Sequence, residues 1–136
     1  DDADLDGAEH EYVSQLFTAR GNEVDVASSG RTAVLTGIRR GAQCDVHVLW
    51  PPAAKITRRS HKGRYRNPLL AIAARAVNPR FVVLLSARDV DAKPAHISMT
   101  GVPGDMEIAI RCHDGATDII DLTAAEVRAR RIPGQH

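Results

Sequence analysis

His96-Ile-Ser-Met-Thr-Gly-Val-Pro-Gly-Asp-Met-Glu-Ile-Ala-Ile-Arg-Cys112 is the stretch on which the fold turns. In an extended chain Met106, Ile108, Ile110 and Cys112 share one face, and this period of two is the signature of a half-buried strand. Gly101, Pro103 and Gly104 interrupt any helix drawn through the same residues, because proline removes a helical hydrogen bond and glycine costs about 1 kcal/mol relative to alanine. The segment therefore reads as a hairpin of His96–Thr100 and Met106–Cys112 around a Gly-Val-Pro-Gly-Asp turn.

The pattern extends outward in both directions. Downstream, His113-Asp114-Gly115 predicts a tight turn into a strand over Thr117–Leu122. Ala124–Arg131 is expected as one or two helical turns or a frayed tail, since Arg128, Arg130 and Arg131 leave little to bury. Upstream, Phe81–Ser86 is a continuous apolar run bounded by Asn78-Pro79 and Arg88-Asp89, expected as a central strand covered on both faces. Leu69–Val77 divides the rules: its alanines favour helix, its place between strands favours strand, and the strand is adopted. Cys44–Trp50 sets Cys44, Val46, Val48 and Trp50 on one face and Asp45 and His47 on the other, and Pro51-Pro52 stops it. Arg39–Gln43 reads as a loop, Thr32–Ile38 as a strand and Ser28-Ser29-Gly30 as a turn. His10–Thr18 and Glu23–Ala27 read as a hairpin around Arg20–Asn22. The expected fold is all-β, an antiparallel β-sandwich of about eight to ten short strands.

Composition bounds the function. A chain of 136 residues with 43% hydrophobic content fits one domain over residues 1–136, with enough apolar material for a core without staples. The 18 Lys+Arg against 17 Asp+Glu leave a net charge of +1, so electrostatic function must come from local clustering. No apolar run approaches the roughly 18–20 residues of a membrane span, and Asp1, Asp2, Asp4 and Asp6 stand where a signal peptide would be basic and then apolar. With no initiating Met, the chain is expected to be processed or part of a larger protein. Cys44 and Cys112 belong to no metal-type spacing and read as two small buried hydrophobes, with a single bridge between them left open. The six histidines form no HExxH or HxH pattern, and no phosphate loop or GxSxG is present, so neither a metal nor a cofactor is expected. His10, opening a strand beside the acidic head, is the histidine most exposed to a role. The head itself lacks EF-hand spacing and reads as surface.

The strongest local signal is basic. Lys55, Arg58, Arg59, Lys62, Arg64 and Arg66, with His61 and Tyr65 among them, place six cations in twelve residues. A short strand around Ile56 followed by an exposed basic turn is expected. Such a patch attracts a polyanion through counterion release, although it equally suits a solvated loop that keeps the domain soluble. An acidic polysaccharide or a nucleic acid would both fit, and Tyr65 is the one aromatic available for stacking.

Two resemblances carry these features further. Asp1–Tyr12, Val48-Leu-Trp-Pro-Pro52, Asn78-Pro-Arg-Phe-Val-Val-Leu-Leu85 and Gly115-Ala-Thr-Asp-Ile-Ile-Asp-Leu122 together resemble the C-terminal β-sandwich of heparinase II/III-like polysaccharide lyases. Leu16-Phe17-Thr18 departs from that pattern where the family often has a second His. The resemblance implies an accessory module without a catalytic centre of its own, packed on the remainder of a periplasmic or secreted enzyme whose Tyr and His perform the lyase chemistry elsewhere. The second resemblance is to a degenerate response-regulator receiver, with Asp1-Asp2 as acidic pair, Glu23–Ala27, Cys44–Trp50, Phe81–Ala87 and Gly115–Leu122 as strands, and Ser86 as the hydroxyl residue. It implies a phosphorylation-incompetent signalling module acting through protein contacts, since Trp50 stands at the phosphoacceptor position. The two readings separate on Thr32–Ile38 and Asp89–Cys112: strands in the first, helices in the second.

Overall fold

The computed structural model describes residues 9–18, 22–37, 41–60, 68–76 and 80–134. Among them the fold is all-β, with eleven strands in three antiparallel sheets and no helix. Thr32–Thr36 and His96–Arg111 lie in strands, which removes the α/β receiver: alternation, Pro103 and the glycines outweigh any helical tendency there. The chain divides into two compact units, Asp1–Val90 and Asp91–His136.

The first unit holds seven strands: β1 (His10–Phe17), β2 (Glu23–Val26), β3 (Thr32–Thr36), β4 (Ala42–Trp50), β5 (Lys55–Ser60), β6 (Pro68–Ala76) and β7 (Val82–Asp89). They form a three-stranded sheet, β1-β6-β5, and a four-stranded sheet, β2-β3-β4-β7. Val24, Ala33, Val46 and Val48 from the larger sheet and Ile56, Leu70, Ile72 and Ala74 from the smaller one make a single buried cluster, with Leu16, Leu35 and Val83 packed on it. Each contributes through the alternate positions of its strand, as a sandwich-like pair of sheets requires.

Several local expectations change. β1 and β2 do not form a hairpin: β1 pairs with β6 and β2 with β3, in different sheets. Alternation shows that a segment is a strand but not which strand it joins. Leu69–Val77 is a strand, as adopted, in the form of β6; Val77 itself lies outside the described residues. Phe81–Ser86 becomes β7, an edge strand paired only with β4, and Leu85 is 54% exposed. The run is apolar enough for a centre, but β6 takes a central place: Leu70, Ala71 and Ile72 are wholly buried, with small alanines allowing cover on both faces. The loop expected at Arg39–Gln43 is shorter, since β4 begins at Ala42.

Arg31 fixes the crossing between the two sheets. Its guanidinium donates to the carbonyl of Pro51 at 2.9 Å and to that of Ala54 at 2.6 Å, gripping the turn that leads from β4 to β5. The backbone around it is tied at the same point, with the Val48 amide donating to Arg31 and the Ile56 amide to Gly30. Burial lowers the Arg31 pKa from its ordinary value, the mark of a cation drawn partly out of water for these carbonyls.

The second unit is a four-stranded meander, β8 (His96–Val102), β9 (Asp105–Arg111), β10 (Thr117–Thr123) and β11 (Val127–Ile132). The expected hairpin is present, closing through Pro103-Gly104 between the paired Val102 and Asp105. Gly104 has φ 100°, a conformation open to glycine after a proline of fixed φ. Ile97, Met99, Met106, Ile108, Ile110, Ile120 and Leu122 fall on one face by register. The C-terminal stretch forms β11 rather than helical turns or a frayed tail. Its own side chains bury little, but the β10 edge supplies backbone partners that local reading does not see.

Two stability predictions follow from these turns. Arg31→Met leaves two carbonyls without their charged donor and is expected to lower stability by about 2 kcal/mol, read as a lower urea midpoint with unchanged slope. Gly101 has φ 90°, and a methyl group there would overlap the Asp105 carbonyl oxygen, whereas at Gly104 it would meet open space. Gly101→Ala is therefore expected to cost more than Gly104→Ala, about 3 against about 1 kcal/mol; equal melting temperatures for the two variants would contradict this.

Candidate polyanion-binding strand

β5 is an edge strand, and three of the six expected cations stand on it. Lys55, Arg58 and Arg59 are exposed; Lys62, Arg64 and Arg66, with His61 and Tyr65, lie outside the described residues. The first half of the basic stretch is thus a paired strand, since Ile56 is buried in the core and draws its neighbours into the ladder with β6.

Pleating separates the three cations. Directly paired residues share a face, and Lys55 pairs with Ala73, Thr57 with Ala71, and Arg59 with Leu69. Across β6, Ala73 pairs with Val13 and Ala71 with Gln15. By this register the outer face of the sheet carries Lys55, Thr57 and Arg59 on β5 and Val13 and Gln15 on β1, with the wholly buried Ala71 and the half-buried Ala73 between them. Four residues of strand put Lys55 and Arg59 about 13 Å apart. At one end, Glu11, Lys55 and Arg75 line a shallow hollow, and Arg75 is paired with Glu9 at 3.3 Å.

Arg58 points the other way. It follows Ile56 on the core-facing side and enters a hollow at the β2 edge lined by Glu23, Asp25 and Thr36. Its surroundings are acidic, so it does not add to the cationic face of Lys55 and Arg59. No carboxylate forms an ion pair with Lys55, Arg58 or Arg59 among the described residues.

The outer face of the larger sheet holds a polar group that sequence reading placed only in part. Asp45 and His47 do share a face, as expected, but Asp45 is buried, and both its oxygens accept from Arg88, at 2.7 Å from Nε and 3.2 Å from Nη2. The ion pair raises the Arg88 pKa. The only sequence signal was a charge within an apolar strand; its partner stands 43 residues away on β7, at a distance no motif spans. Desolvation raises the Cys44 pKa, and the neighbouring Asp45 adds to the effect; Cys44 and Cys112 are both free thiols. His10 opens β1, exposed, with its ring edge-on to Tyr12 at 6.2 Å. Among the described residues no three His, Cys, Asp or Glu side chains gather as metal ligands. No protein-family model matches the chain, and neither does any curated protein or solved structure.

Burial lowers the His47 pKa below its ordinary 6.5, more than the Asp45 carboxylate raises it. The unfolded chain therefore binds the His47 proton more readily, and the neutral ring's contribution to stability is lost as pH falls through 6.5 towards the lower folded value. Urea midpoints at pH 7.5 and 5.5 are expected to differ less in His47→Gln than in the unaltered protein; an equal difference would place the pH sensitivity elsewhere.

Proposed function

We propose that this chain is an accessory, non-catalytic β module that holds an acidic polysaccharide against the outer face of its three-stranded sheet. The observation that supports it is the pair Lys55 and Arg59, exposed on one face of the edge strand β5 and without carboxylate partners among the described residues. Two cations along an extended edge match a linear polymer of regularly placed carboxylate or sulfate groups. Gln15 and Thr57, exposed on the same face, offer hydrogen-bonding groups to its hydroxyls. Lys62, Arg64 and Arg66 follow directly in sequence.

The setting we propose is the C-terminal module of a heparinase II/III-like lyase. Support for it is the set of sequence stretches from Asp1–Tyr12 to Gly115–Leu122, together with an all-β fold of the expected class. In that setting the base and acid of the elimination belong to the remainder of a periplasmic or secreted enzyme, and this module lengthens the path along which the substrate is held.

Retention on immobilised heparin tests the binding reading. The double variant Lys55→Gln/Arg59→Gln is expected to elute at lower salt, with the salt dependence of binding reduced by roughly one unit of slope per cation removed, and to melt like the unaltered protein. Arg58→Gln is expected to change retention less. Unchanged elution of the double variant would remove β5 from the binding account.

A further inference from the structure

The free edge of β11 is a second place where the chain can take a partner. β11 ends its sheet: it is paired on one side with β10, and among the described residues no strand pairs with its other edge. All six of its residues are exposed, Val127 at 69% and Ile132 at 46%.

Two backbone hydrogen bonds show which groups the open edge presents. The Thr123 amide donates to the Glu126 carbonyl, and on the other side of β10 the Ala124 amide donates to Gly104. Antiparallel ladders alternate hydrogen-bonded and non-bonded pairs, so Arg128, Arg130 and Ile132 direct their backbone groups at β10. Val127, Ala129 and Arg131 direct theirs outward. Three amides and three carbonyls thus stand in a row about 13 Å long, in the geometry of a missing neighbour strand.

The side chains choose among the strands that could fill it. Arg128 and Arg130 lie on one face, and Val127 and Ala129 on the other. Arg131 is held by both oxygens of Asp118, at 2.7 and 3.0 Å. Arg128 is in an exposed pair with Glu126 at 2.7 Å, stands opposite Asp121 and shares a shallow hollow with Glu107, so its charge is largely answered within its own sheet. Arg130 has no carboxylate partner among the described residues. A second copy of the same edge fits poorly: antiparallel pairing centred on Ala129 sets Arg128 of each copy opposite Arg130 of the other, and like charges directly opposed destabilise a ladder. An incoming strand with acidic residues at alternate positions would meet Arg128 and Arg130, and apolar residues between them would cover Val127 and Ala129.

We propose that β11 binds an extended acidic peptide by strand addition, reading alternate acidic and apolar side chains beside Val127–Arg131. Backbone hydrogen bonds supply the general affinity, and Arg130, which has no carboxylate partner among the described residues, the selection.

The probe is a fluorescently labelled, end-capped Glu-Val-Glu-Val-Glu-Val-Glu peptide, titrated against the full chain with its Lys-for-Glu counterpart as control. Saturable binding of the acidic peptide alone is expected, together with slowed amide exchange at Val127, Ala129 and Arg131. Arg130→Glu is expected to weaken binding at least tenfold. Ala129→Pro removes an outward amide while leaving the β10–β11 hydrogen bonds in place, and it is expected to weaken binding similarly without changing retention on heparin. The exchange measurement on the unaltered protein stands even if that variant folds poorly. Absence of slowed exchange at millimolar peptide would overturn the proposal. So would binding that heparin abolishes and Ala129→Pro leaves intact, which would mark a general polyanion patch, or self-association through β11, which would make a second copy the occupant.

Discussion

The first unit depends on burying one strand from both sides. β6 carries Leu70 and Ile72 into the space between the sheets and keeps Ala71 out of water on the opposite face. A strand in that position must satisfy its backbone on both edges, and β1 and β5 do so. The basic character of β5 is usable because β5 lies at the edge of that sheet, where Lys55 and Arg59 remain exposed beside the buried strand.

Charge in this protein is sorted by pleat and by edge. Arg58 and Arg59 are adjacent in sequence yet face opposite sides of a sheet, one towards Glu23 and Asp25 and the other towards solvent. Arg88 is committed to a buried carboxylate, Arg131 to a surface one, and Arg130 to none among the described residues. A near-neutral total conceals this division. Cations that hold the fold and cations that face outward are the same residue type, and only their partners tell them apart.

Much of the architecture was legible because strands announce themselves locally. The alternation of Met106, Ile108 and Ile110, the Pro-Gly turn and the Asp114-Gly115 turn need no knowledge of the rest of the chain. What remained hidden was long-range. The pairing of β1 with β6 joins residues some sixty positions apart, and the choice of β6 rather than β7 as a central strand depends on the supply of neighbours more than on hydrophobicity. β11 was unreadable for the same reason, since VRARRI becomes a strand only because β10 offers an edge. In the candidate site, cation density along 55–66 was visible, but the separation of Arg58 from Lys55 and Arg59 required the register with β6. Asp45 gave no hint of its partner.

The grip of Arg31 on the turn between the sheets has an evolutionary side. Its acceptors are backbone oxygens, and a carbonyl is the same whichever residue carries it. The grip is therefore indifferent to the side chains at positions 52 and 53 and sensitive to how many residues lie between Trp50 and Lys55. Substitutions can accumulate in this turn while insertions and deletions cannot, so in descendants of this chain its length should persist after its sequence has drifted beyond recognition.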